Sequence, residues 1–143
     1  MKTLLVEDDL TQRDLISEAL KREFPELELW PIATESEFRD SLDEIGKNPP
    51  ALIIMDVMLR WCDPSEQMPA VAPDATDFSR AGVRCCHLLK NNPKTKAIPI
   101  IVLTVLDKNG LDLPPYCFHV PKTSDLRALI DAVADRVRQR AAV

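Results

Sequence analysis

Four stretches of this 143-residue chain carry side chains able to do chemistry together: Glu7-Asp8-Asp9, Asp56, Thr104 and Lys122. Each lies at the end of a short apolar run. Two or three carboxylates brought within a few ångströms repel one another, so either some hold protons or a hard cation sits among them. Oxygen ligands with open positions suit Mg²⁺. Such an ion would also screen a carboxylate nucleophile from an incoming anionic phosphoryl group, while an ammonium and a hydroxyl hold the oxygens that gain charge. That chemistry requires the four stretches to meet in space.

The pattern of the chain supplies elements that can bring them together. Short apolar runs alternate with segments of helical spacing, which reads as a parallel sheet with crossover helices. The predicted strands are Thr3 to Val6, Leu27 to Ile32, Ala51 to Asp56, Ile100 to Leu103 and Cys117 to Val120. The third, Ala-Leu-Ile-Ile-Met, reads as a central strand buried on both faces. The first helix carries Leu15, Ile16, Ala19 and Leu20 as its apolar stripe and stops at Pro25. Thr34-Glu35-Ser36-Glu37 spells a capping box for a helix with Phe38, Leu42 and Ile45 inward. Gly82 to Asn91 resumes helical spacing through Val83, Cys86 and Leu89. A last helix, capped by Thr123 or Ser124, repeats Leu126, Leu129, Ile130, Val133 and Val137. In an open parallel sheet the carboxyl ends of the strands form the ligand crevice, and all four chemical stretches fall there.

Composition narrows the function classes. Lys and Arg total 18 against 23 Asp and Glu, a net charge of −5, which argues against nucleic acid as a partner. One domain spanning 1–143 is expected at this length. No apolar run approaches the roughly 20 residues of a membrane span, and MKTLLVEDD meets acids too early for a signal peptide, so a cytoplasmic protein without membrane contact is expected. The three glycines, Gly46, Gly82 and Gly110, are too scattered for a glycine-rich phosphate loop. Cys62, Cys85, Cys86 and Cys117, with His87 and His119, contain no C-x-x-C pair and read as reduced thiols rather than a zinc site.

The motifs Leu4-Leu5-Val6-Glu7-Asp8-Asp9, Leu52-Ile53-Ile54-Met55-Asp56-Val57-Met58-Leu59, Ile98-Pro99-Ile100-Ile101-Val102-Leu103-Thr104 and Lys122 occur in this order. Together they resemble the response-regulator receiver domain of two-component signalling, over Thr3 to about Val137. The resemblance implies an α/β flavodoxin-like fold, a doubly wound five-stranded parallel sheet in order 2-1-3-4-5, as a single receiver domain. It implies Asp56 as phospho-acceptor and Mg²⁺ held by Asp8, Asp56 and the backbone carbonyl of Met58, with Glu7 reaching it through water. Thr104 and Lys122 would contact the phosphoryl group, and Thr104 and His119 would form the switch pair. The implied donor is a histidine kinase, a histidine phosphotransfer protein or a small acyl phosphate, and the implied output is contact with a downstream protein by a monomer or weak dimer.

The chain departs from that pattern in four places. The turn after the aspartate usually closes within about ten residues at a glycine, which Gly82 resembles, so roughly 18 residues are inserted, within 60–80. That insertion, broken by Pro64, Pro69 and Pro73, is either a lid or contact surface beside the chemistry or a tolerated surface loop. Between Thr104 and Lys122 the fourth crossover helix is expected to be shortened or absent, since Gly110, Pro114 and Pro115 interrupt it. Thr123 stands where relatives have a cis-proline, so the bond after Lys122 is either strained or trans. Met58 and Leu106 offer no group to orient an attacking water, which predicts slow self-dephosphorylation.

Two other classes compete with a phospho-acceptor switch that is not an enzyme acting on a separate substrate. One is an interaction module of the same fold that does not use phosphate. The other, a haloacid-dehalogenase-type phosphatase, requires a second Asp two residues after its nucleophile, and position 58 is Met.

Overall fold

The computed structural model describes residues 1–65 and 67–142. Five strands, β1 (Lys2–Val6), β2 (Glu28–Ile32), β3 (Leu52–Met55), β4 (Ile100–Thr104) and β5 (Cys117–Pro121), pair in parallel in the order β2-β1-β3-β4-β5. The helices are α1 (Leu10–Glu23), α2 (Glu35–Asp40), α3 (Leu42–Lys47), α4 (Ala81–Lys90) and α5 (Arg127–Ala141), with single 3-10 turns at Phe78–Arg80 and Lys108–Gly110.

The three inner strands, β1, β3 and β4, are buried on both sides, and the two-residue side-chain period divides their residues between two cores, while the edge strands β2 and β5 are largely half-buried or exposed. Leu4, Val6, Ile53, Met55, Ile100 and Val102 pack with Phe38, Ile45, Val83 and Leu89 on one face. Leu5, Leu52, Ile54, Ile101 and Leu103 pack with Ile16, Leu20, Leu129 and Val133 on the other. Each such fully buried aliphatic side chain contributes roughly 1.5–3 kcal/mol relative to exposure. All four residues of β3 are buried, as expected for the central strand.

Several local expectations are corrected. Leu15, grouped with the α1 stripe, is exposed, because it sits a third of a turn round from Ile16. The helix expected through Phe38, Leu42 and Ile45 is two helices. Ser41, at φ −92° and ψ −3°, divides them, and its hydroxyl donates to the Glu37 carbonyl at 2.8 Å. The capping box forms, with Thr34 Oγ1 accepting the Glu37 N–H at 3.2 Å, although Glu37 reaches back to the Ala33 N–H rather than to that of Thr34. Neither Thr123 nor Ser124 caps α5. Leu126 takes the left-handed conformation at φ 56° so that it can bury its side chain, and Asp125 supplies the carboxylate that accepts the Arg127 N–H.

The fourth crossover is a loop with one 3-10 turn. Buried Leu111 and Pro114 seal the sheet where a helix would lie, and the Asp112 carbonyl meets His87 Nε2 at 2.7 Å. The 60–80 insertion is tied to the body of the fold near both of its ends. The Arg60 and Trp61 carbonyls accept the Glu35 and Ser36 N–H groups, which α2 cannot satisfy internally. Trp61 donates through Nε1 to the Pro69 carbonyl at 3.1 Å, and Ala75 is fully buried. Gly82, the second residue of α4, lies against the turn after β3: a Cβ there would lie 1.9 Å from the Asp56 carbonyl oxygen, so this close approach admits only glycine.

Candidate functional site

Strand register brings the four chemical stretches to one rim. Val6 is opposite Met55 and Thr104 opposite Pro121, so Glu7 and Asp56 leave the sheet side by side, as do Thr104 and Lys122. The Asp56 N–H donates to the Val6 carbonyl and the Lys122 N–H to that of Thr104, both at 3.0 Å. A cleft of about 580 Å³ opens there, walled by Asp8, Asp56, Thr104 and Lys122 and on the insertion side by Trp61, Met68 and Phe78.

Glu7, Asp8 and Asp56 each offer a carboxylate oxygen, and these atoms lie within 4.8 Å of one another. Lys122 Nζ donates to Glu7 Oε2 at 3.1 Å and to Asp56 Oδ2 at 3.4 Å. Asp56 Oδ1 is held by the Val57 N–H at 2.7 Å, which directs Oδ2 toward the lysine. Thr104 is buried, and its hydroxyl accepts the Leu106 N–H at 3.2 Å.

One ammonium between two acids leaves negative charge in excess. Burial, then the neighbouring Asp56 carboxylate, push the Glu7 carboxyl up to about 7, although Lys122 opposes them. Burial pulls Lys122 down, but the Asp56 and Glu7 carboxylates outweigh it and hold the ammonium above its ordinary value. Three carboxylates whose oxygens lie within 4.8 Å of one another form an all-oxygen donor set that fits a hard divalent cation.

The sign of the Glu7 shift gives a pH dependence for the metal-free protein. The folded state binds this proton more tightly, so its contribution to stability is complete below the unfolded value near 4.5 and is lost as pH rises through about 7. Thermal unfolding in a chelator should show a melting temperature that falls between about pH 5 and about pH 8, and Glu7→Gln should flatten that slope. An equally steep slope in the variant would assign it to other groups.

Asp9, third in the acidic run, borders the cleft but stands outside the carboxylate group. It caps α1, its carboxylate accepting the Gln12 N–H at 2.9 Å. Met58 lines the cleft with its side chain half exposed. His119 lies on β5, its Nε2 2.9 Å from the Leu106 carbonyl, so it ties the edge strand to the segment after Thr104. The bond after Lys122 is trans, as no cis peptide occurs among the described residues.

Two features escaped the sequence. Arg60, read as the first residue of a loop, donates its backbone N–H to Asp8 Oδ2 at 3.0 Å. Behind the cleft, the buried Glu35 carboxylate takes both Nε and Nη2 of Arg84, at 3.0 and 2.7 Å, and Nη2 of Arg39 at 3.0 Å. Arg39 also pairs with Asp74, and Arg84 Nη1 donates to the Asp77 carbonyl, so this cluster clamps the insertion against α2 and α4. The i, i+4 spacing of Glu35 and Arg39 was visible in the sequence; the part played by Arg84 was not.

No protein-family model matches the chain, and no curated protein does. Solved structures do. The signal receiver domain of a DNA binding response regulator protein from Colwellia psychrerythraea 34H is 22% identical over 96% of this chain and 98% of its own, at a TM-score of 0.65. The Mn²⁺-bound form of response regulator Rcp1 is 25% identical over 94% and 89%, at 0.62. The phosphorylated cyanobacterial phytochrome response regulator RcpA is 23% identical over 94% and 89%, at 0.63. With the sheet order and the acidic rim already described, these similarities across nearly the whole chain identify its fold as that of the response-regulator receiver domain.

Proposed function

We propose that the chain is a phospho-acceptor receiver of two-component or phosphorelay signalling, taking a phosphoryl group on Asp56 and signalling by contact with a downstream protein. The observation that supports this most is the three-carboxylate group facing Lys122 and Thr104 in one cleft. Magnesium would be held by Asp8, Asp56 and the Met58 backbone carbonyl, with Glu7 acting through water, and when bound it supplies the positive charge that lets two anions approach.

The protein's own part in the transfer follows from the side chains. An Asp56 carboxylate oxygen attacks the phosphorus of a phosphohistidine or a small acyl phosphate. The bond from phosphorus to the donor nitrogen or oxygen breaks, its electron pair leaves with the donor, and an acyl phosphate remains on Asp56. Lys122, already against Asp56 Oδ2, is positioned to hold a phosphoryl oxygen. The Thr104 hydroxyl, satisfied as an acceptor by Leu106, keeps its proton available to donate. His119 would complete the switch by answering the movement of Thr104 through the Leu106 segment.

The donor partner would be a histidine kinase or phosphotransfer protein. Four free cysteines suit a reducing compartment, which supports a cytoplasmic location, and no described helix is long and apolar enough to cross a membrane. Intact mass after incubation with acetyl phosphate and Mg²⁺ tests the proposal. A gain of one phosphoryl group that depends on Mg²⁺ supports it; no gain favours an interaction module that does not use phosphate.

The phospho-form should be long-lived. Met58, which lines the cleft, and Leu106, which packs against the core, carry no group that orients water or removes its proton, and neither does the exposed Val105 beside Thr104. Loss of such assistance is worth roughly a hundredfold in rate. Following the decay of the phosphorylated mass checks this, and loss as fast as in chemotaxis-type receivers would contradict it.

A further inference from the structure

Arg60 opens the insertion at the mouth of the acidic cleft, and nothing in the transfer chemistry above uses it. Its guanidinium donates to the Asp8 backbone carbonyl at 2.9 Å, and Nε stands 3.8 Å from Asp8 Oδ2, the oxygen that already accepts its backbone N–H. The backbone is fixed, because the Arg60 carbonyl accepts the Glu35 N–H at the start of α2. One cation is therefore held against Asp8 while Lys122 is held against Glu7 and Asp56. Each side of the carboxylate group has its own positive charge.

We infer that Arg60 is a resident counter-cation of the acidic cleft, which holds Asp8 in place without a divalent ion and competes with that ion for the site. The inference rests on the metal-binding reading proposed above. A divalent ion beside Asp8 meets the guanidinium charge at close range, so loading the site must displace the side chain or tolerate it. The side chain is 48% exposed, so water and salt moderate the repulsion and the result is competition rather than exclusion. The guanidinium can leave the Asp8 carbonyl while the backbone N–H stays on the carboxylate, which keeps Asp8 oriented through the exchange. Asp63, 3.3 Å from Arg60 Nη2 at the exposed rim, offsets part of the arginine charge and so weakens the competition.

Calorimetric titration of Mg²⁺ into the full chain tests this, using wild type, Arg60→Gln, Arg60→Lys and Asp63→Asn at low and high NaCl. Arg60→Gln should bind Mg²⁺ about threefold to tenfold more tightly, Arg60→Lys should stay near wild type, and Asp63→Asn should bind about twofold more weakly. These differences should shrink in high salt. Unchanged affinity in Arg60→Gln overturns the inference, and so does weaker binding, which would make Arg60 a positioning residue for the metal. Asp63 is exposed, so its variant keeps the test decisive even if Arg60→Gln unfolds; an unchanged or tighter Asp63→Asn also counts against the inference. If wild type itself takes up no Mg²⁺ at millimolar concentration, the proposed function fails first, and the competition with it.

Discussion

Asp56→Asn is expected to gain no phosphoryl group under conditions in which wild type is labelled by acetyl phosphate and Mg²⁺. The carboxamide oxygen carries no charge to attack phosphorus, and the set of three carboxylates loses a member, so both the nucleophile and part of the metal site disappear together. Lys122 keeps Glu7 as its partner, so the fold should persist. Removing the Asp56 charge also relieves one of the causes that raise the Glu7 carboxyl, so metal-free Asp56→Asn should melt at or above the wild-type temperature near neutral pH. Intact mass and thermal unfolding on one sample read both effects. Labelling that survives the substitution would move the acceptor to Glu7 or Asp8.

Glu35→Ala is expected to be the most destabilising single substitution at the clamp. The Glu35 side chain is fully buried and takes three hydrogen bonds from two guanidinium groups. Arg84 and Arg39 are both held above their ordinary values, Arg84 chiefly by hydrogen bonding to Glu35 and Arg39 chiefly by hydrogen bonding to Asp74. Removing the carboxylate leaves positive charge facing positive charge in a poorly solvated place, at a cost of about 3–5 kcal/mol. For a domain of this size that is roughly a 10 °C or larger fall in melting temperature. Because Arg39 and Arg84 hold Asp74 and the Asp77 carbonyl, the insertion should also become the first site of proteolysis. A loss below about 1 kcal/mol would show that Asp74 and solvent suffice to neutralise the arginines.

The expectations that succeeded concern residues whose neighbours are close in sequence or whose burial is extreme. The all-apolar β3, the Thr34 capping hydroxyl and the absence of a helix in the fourth crossover each follow from local pattern or from proline and glycine placement. The misplaced details arise where tertiary packing, or a side-chain bond to the backbone such as that of Ser41 to the Glu37 carbonyl, overrode a local preference. Ser41 broke a helix whose apolar spacing was continuous, and burial of Leu126 moved the start of α5 beyond the hydroxyls that could have capped it. The order of the insertion was illegible for the same reason: its attachments are carbonyls accepting from α2 and side chains reaching arginines on two different helices.

From the amino-acid sequence alone came the alternation of strand and helix, the four chemical stretches and their position at strand ends, because periodicity and chain order are local properties. Only the tertiary structure decided how those charges are apportioned. It turned Asp9 into a helix cap, set Lys122 between two acids, raised the Glu7 carboxyl and laid Arg60 on Asp8. Electrostatic interaction depends on distance and solvent access between groups far apart in the chain, and neither quantity exists until the strands are in register.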